Sequence, residues 1–217
     1  MSSPFIFIGC VELRQALGRR ATDERELMDR LEEVPAGSIF YHTHSYFLRH
    51  RPITTAYGND FAAWVATHVR DQILAERLAV INPFDYTTLE DLREELVGTI
   101  HDHLLRRSSV PRVEFGEHFY FQQSQVVEVA LGATATTLEE FREGLAAVDS
   151  SAIYFHMVEA RARLGRRSGD FAEWVRDALQ LPNLAERIER IDAFMTSLER
   201  VRARVLSLVD EALEGER

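Results

Sequence analysis

Read for the alternation of apolar and polar positions, the chain predicts a mainly α protein with short β segments. Phe5-Ile6-Phe7 and Phe119-Tyr120-Phe121 alternate at period two, the spacing of a strand with one buried face. Val126–Leu131 (VVEVAL) either extends the second strand or forms another, whereas ELRQAL at the matching place, residues 12–17, reads as more helical. Helical spacing then takes over. Leu27, Leu31 and Val34 share one face, as do Leu138, Phe141 and Leu145, the latter behind a Thr137-x-x-Glu140 capping pattern. The segments SIFYHTHSYFLRH (38–50) and AIYFHMVEARARL (152–164) read as helices, and Asp60 and Asp170 stand where an N-cap is expected before FAAWV and FAEWV. The last helix of each half is the most regular. Leu89, Leu92, Leu96 and Ile100 recur at threes and fours behind Thr87-x-x-Glu90, and Leu198, Val201, Val205 and Val209 do so behind Thr196-x-x-Glu199.

These elements are one pattern written twice. Placing Phe5 on Phe119 also places Ala16-Leu17-Gly18 on Ala130-Leu131-Gly132, Glu26 on Glu140, His42 on His156 and Arg49 on Arg163 without a gap. After two short indels, DFAAWV (60–65) falls on DFAEWV (170–175), LAER (74–77) on LAER (184–187), and TTLEDLR (87–93) on TSLERVR (196–202). Self-similarity over such a length indicates tandem duplication. The expected organisation is a first copy at residues 1–106, a linker at 107–117 carrying Ser108, Ser109, Pro111 and Gly116, and a second copy at 118–217. Each copy is expected to hold about five helices, and the two to pack with pseudo-twofold symmetry. The Phe-x-Phe segments are expected to form a small sheet, within a copy or across the axis.

Composition narrows the function classes. A hydrophobic fraction of 46% over 217 residues suffices for a core without disulfides or metals. The net charge of -10 repels phosphate backbones and argues against nucleic acid as partner. A lone cysteine, Cys10, excludes an intrachain disulfide, and no apolar run reaches the ~20 residues of a membrane span. The start MSSPFIFIGC lacks the basic region of a signal peptide, so a cytoplasmic location is expected.

Candidate chemistry rests on the repeated polar residues. His42 and His156 occupy the same place on apolar helix faces, where a histidine is most often a core residue bonded through its ring nitrogens. A ligand-contacting or metal-binding histidine in each copy is the functional alternative. His42-Thr43-His44 resembles a two-histidine metal motif, but on a helix positions two apart point away from each other, and the second copy has Met157-Val158 instead. Arg49, His50 and Arg51 face Arg161, Arg163, Arg166 and Arg167 in the repeat, two basic clusters suited to an anionic small molecule or an acidic partner. His101 and His103 stand near a helix C-terminus, where the macrodipole favours cations; their counterparts are Asp210 and Ala212. No glycine-rich phosphate loop, Gly-x-Ser-x-Gly, His-Glu-x-x-His or Cys-x-x-Cys occurs, and no cofactor is implied.

Taken together, Phe5-x-Phe7, Ser38-Ile-Phe-Tyr-His42-Thr-His44 and Asn59-Asp60-Phe61-x-x-Trp64-Val65, with Phe119-x-Phe121, Ile153-Tyr-Phe-His156 and Asp170-Phe171-x-x-Trp174, resemble a family of small uncharacterised prokaryotic proteins carrying a domain of unknown function. The resemblance covers nearly the whole length and implies a prokaryotic cytosolic setting without supplying an activity. The expected function is a non-catalytic binding or regulatory module for an anionic metabolite or a partner protein, as monomer or homodimer, with His42, His156, Arg49, Arg163 and Arg166 as ligand-binding candidates. The alternative is a metal-dependent or histidine-based enzyme using His42, His44 and His156.

Overall fold

In the computed structural model, described here for residues 3–49, 57–110, 112–114, 116–161, 168–194 and 196–215, the protein is mainly helical, with a two-stranded antiparallel sheet. Strand β1 spans Phe5–Ala21 and strand β2 spans Phe119–Ala135. Both are 17 residues long, about three times the usual strand. ELRQAL lies inside β1 and is not helical. Ladder hydrogen bonds to β2 outweigh its helix propensity, and the ribbon leaves Leu13 57% exposed. Gly18 (φ +67°) and Gly132 (φ +72°), which match in the repeat, take the left-handed backbone that a side chain would strain.

Two compact units divide the chain, and their boundaries cut through both strands. One unit is continuous, Glu12–Gln125; the other is split, Met1–Val11 with Val126–Arg217. The division expected from the sequence, at residues 1–106, 107–117 and 118–217, differs from this one. Phe5 and Phe7 belong to the unit that holds residues 126–217, while Phe119, Phe121 and residues 107–117 belong to the continuous unit. A strand as long as β1 or β2 has more residues than one small unit can cover, so each serves one unit with its first half and the other with its second.

The continuous unit contains α1 (Glu24–Glu33), α2 (Ala36–Thr43), α3 (Tyr46–Arg49), α4 (Asp60–Trp64) leading into a π turn at Val65–Val69, α5 (Gln72–Ala79) and α6 (Leu89–Leu104). Leu27, Leu31, Leu92, Leu96 and Ile100, the faces expected from periodicity, are fully buried, and Phe119 and Phe121 join the same core. The split unit contains α7 (Leu138–Ala147), α8 (Ser150–Tyr154) leading into a π turn at Phe155–Glu159, α9 (Asp170–Asp177), α10 (Pro182–Glu189) and α11 (Leu198–Gly215). Phe7, Phe121, Phe61, Phe141 and Phe171 are at most 1% exposed, and burial of each contributes on the order of 2–3 kcal/mol.

Several caps sit one residue from their expected places. The box before α6 is Thr88-x-x-Asp91, and Arg200 N–H donates to Ser197 Oγ ahead of α11. Asn59, rather than Asp60, caps α4 by accepting from Ala62 N–H, and Gly169, rather than Asp170, precedes α9. That shift frees both aspartates to use their carboxylates elsewhere.

Candidate functional site

The repeated residues assemble into the same arrangement in each unit, and its purpose is to grip a strand. In the continuous unit, His42 on α2 directs Nδ1 to Asp60 Oδ2 at 2.8 Å, and Nε2 accepts the backbone N–H of Gln122 at 3.0 Å. In the split unit, His156 Nδ1 lies 2.8 Å from Asp170 Oδ2 and Nε2 accepts the N–H of Ile8 at 3.0 Å. An acceptor Nε2 requires the proton on Nδ1, so each imidazole is neutral and donates to its aspartate. Burial pushes the His42 pKa down more than the Asp60 carboxylate raises it. Burial also pushes Asp60 upward, but the bonds and charges of His42 and Arg49 outweigh it and hold the carboxyl below its ordinary value.

The tryptophans hold the backbone two residues ahead of the same strands. Trp64 Nε1–H donates to Glu117 O at 2.7 Å and Trp174 Nε1–H to Ser3 O at 2.9 Å. Between the two bonds lie the Phe-x-Phe rings. Phe119 packs 4.8 Å from His42 and 5.7 Å from Trp64; Phe5 packs 4.8 Å from His156 and 5.5 Å from Trp174. The two phenylalanine–tryptophan pairs meet edge-on, an arrangement that contributes about 0.5–1.5 kcal/mol beyond area burial, and the two phenylalanine–histidine pairs are tilted.

Arg49 is committed to this arrangement. Its Nη2 donates to Asp60 Oδ2 (2.8 Å) and Tyr41 O (2.7 Å), and its guanidinium lies 4.1 Å from the Tyr41 ring centre. Arg163, Arg166, His50, Arg51 and Arg167 lie outside the described residues. Arg161 donates through Nη2 to Glu189 O at 3.2 Å, and burial lowers its pKa. His44 does not join His42: its ring stacks on Phe40 at 5.0 Å and meets Phe84 edge-on at 5.3 Å, and Nδ1 lies 3.1 Å from Thr43 Oγ1.

A second polar cluster in the continuous unit was not legible as a site. Glu24 opens α1, Asp71 caps α5 and His103 ends α6, and their ligand-capable atoms all lie within 4.8 Å of one another. Asp71 Oδ1 accepts Leu74 N–H at 2.9 Å; its Oδ2 lies 3.0 Å from His103 Nε2 and bonds Arg107 Nη2. Glu24 is 0% exposed; neither carboxylate oxygen receives a hydrogen bond from an N–H or hydroxyl donor, and the carboxyl lies within proton-sharing reach of Asp71. Burial first, then the Asp71 charge, push its pKa up to about 7. In sequence, His103 reads as a helix-end cation, and nothing marks Glu24 or Asp71 as part of a site. The signal that could have found them is the absence of polarity at the positions that align with them, Leu138, Leu181 and Ala212.

The split unit carries a basic hollow of about 350 Å³. Arg187 on α10, Arg190 just beyond it, and Arg200 and Arg204 one turn apart on α11 surround a floor that includes Ile191 and Val201. Asp192 and Thr196 also line it. Arg187 pairs with Glu211 and Arg190 with Glu186, while Arg200 and Arg204 form no salt bridge among the described residues. The related hollow of the continuous unit, about 300 Å³, sets Arg77 against Asp85 and Glu95, so the basic character belongs to one unit.

A family model described as a family of unknown function (DUF5752) matches residues 2–210. No curated protein matches the chain. Among solved structures the chain is similar to OrfY from Thermoproteus tenax, with 28% identity, coverage of 97% of this chain and 95% of that chain, and a TM-score of 0.81. No helix among the described residues is long and apolar enough to cross a membrane.

Proposed function

Starting from a chain that belongs to the DUF5752 family, we propose that this protein is a non-catalytic regulatory module that binds an anionic small molecule in the arginine-lined hollow of its split unit. The observation that carries the reading is the convergence of Arg187, Arg190, Arg200 and Arg204 on a chain of net charge -10. Guanidinium groups match carboxylate and phosphate geometry through paired N–H bonds, and Arg200 and Arg204 have such donors to offer. About 350 Å³ falls within the range of small-molecule sites.

The motif residues argue against catalysis by the repeated histidines. A histidine whose Nε2 lone pair accepts a backbone N–H and whose Nδ1 proton serves a carboxylate has nothing left for a metal or a substrate proton. We further infer that the chain arose by tandem duplication, which let one copy keep its strand-gripping residues while acquiring the arginines. A cytoplasmic setting accords with a sequence whose one cysteine is Cys10.

The test is a thermal-shift titration with pyrophosphate and citrate as probes. At about 100 times Kd, a bound anion is expected to raise Tm by roughly 5 °C. Arg200→Glu/Arg204→Glu is expected to abolish the shift while leaving the unliganded Tm within about 2 °C. Absence of any shift with either anion, or a shift that the double variant retains, refutes the reading.

A further inference from the structure

We propose that Glu24, Asp71 and His103 form a binding site for a divalent transition-metal ion of the zinc class. Three observations converge on it. The donor atoms already lie within 4.8 Å of one another, brought together by the start of α1, the cap of α5 and the last turn of α6. All three residues are buried, at 0%, 6% and 6% exposure, and neither Glu24 oxygen receives a hydrogen bond from an N–H or hydroxyl donor, the carboxyl lying instead against that of Asp71. Two carboxylates held together in such a place are strongly unfavourable unless a cation or a shared proton neutralises them. The fold does not require polarity here either: the second copy places Leu138, Leu181 and Ala212 at the three matching positions.

Charge selects a divalent ion over the neighbouring arginine. Arg107 bonds Asp71 Oδ2 and supplies one positive charge for two carboxylates. Its side chain is 38% exposed and follows the end of α6, so it has room to turn to solvent when a cation arrives. A divalent ion neutralises Glu24 and Asp71 together, and His103 supplies a nitrogen through Nε2. Two oxygens and one nitrogen, with water in a fourth position, suit Zn²⁺, and Co²⁺ as its spectroscopic substitute. Asp71 is preset for the task because Leu74 N–H holds its other oxygen.

The experiment titrates the full chain with Zn²⁺ by calorimetry and with Co²⁺ by visible absorption at pH 7.5. One equivalent is expected to bind, with a d–d band of low-coordinate Co²⁺. Glu24→Leu, which installs the residue of the matching position, is expected to weaken binding at least tenfold while raising the metal-free Tm. Asp71→Asn, which keeps the cap acceptor, provides a second variant with the same expected loss. Lack of stoichiometric binding by the wild-type chain, with the proton alone neutralising Glu24, overturns the proposal. So does binding that both variants retain, which would locate the ion at exposed histidines such as His101. The arginine hollow plays no part in this measurement, so either proposal fails without the other.

Discussion

At the scale of single residues, the buried imidazoles show how much one ring's surroundings decide. His42 and His156 spend both nitrogens on structure, and His44 is enclosed by Phe40, Phe84 and Thr43. Burial lowers the His44 pKa to about 4, with a hydrogen bond to the Pro83 backbone opposing it. A free histidine titrates near 6.5, so below that pH the unfolded chain binds more protons than the folded one. The contribution of His44 is therefore intact above about pH 6.5 and disappears as pH falls toward 4. Between pH 7 and pH 4.5 it amounts to roughly 2–3 kcal/mol. His44→Phe keeps an aromatic ring against Phe40 and is expected to reduce the acid sensitivity by about that amount, with His42 supplying a remainder of the same sign. Urea unfolding at the two pH values measures it; equal pH dependence in variant and wild type contradicts the assignment. The apolar spacing around His42 showed that it faces a core. It did not show that Nε2 meets the amide of Gln122, because no local pattern relates residues so far apart.

At the scale of elements, two helical glycines separate propensity from packing. Gly98 lies in α6 with nothing within 4 Å of where a Cβ would stand, so Gly98→Ala is expected to gain about 1 kcal/mol from helix propensity alone. Gly144 lies in α7, where a Cβ would meet Phe7 Cε2 at 2.4 Å and Cζ at 2.9 Å. Phe7 is fully buried and cannot retreat cheaply. The clash costs about 1–3 kcal/mol against a gain of about 1, so Gly144→Ala is expected to be net destabilising. Paired chemical denaturation curves check both, and the two variants moving in the same direction would count against this packing. The helices themselves were legible because their apolar faces repeat at threes and fours. ELRQAL was not, because its state depends on ladder bonds to a strand more than a hundred residues away.

At the scale of the whole molecule, each strand contributes its first half to one unit and its second half to the other. Phe5 stands at the start of the chain yet packs on Phe171 and Trp174, and Phe119 packs on Phe61 and Trp64. Each tryptophan is thus a reporter for the Phe-x-Phe segment packed against it. With Trp64→Phe as background, Phe5→Ala is expected to red-shift Trp174 emission and to destabilise the split unit by about 3–5 kcal/mol. With Trp174→Phe as background, Phe119→Ala is expected to do the same to Trp64. Phe5→Ala perturbing Trp64 and sparing Trp174 would reverse the assignment of strands to units.

Periodicity by itself determined the helical class, the buried helix faces and the strand character of both Phe-x-Phe segments, because each is carried by neighbouring residues. Tertiary structure alone decided which helices each strand serves, that Asp60 and Asp170 bond histidines rather than cap helices, and that Glu24, Asp71 and His103 meet. Those outcomes depend on which distant segments bury each other's polar groups. In a densely packed interior a hydrogen-bond partner is chosen by three-dimensional proximity, which residue spacing does not encode.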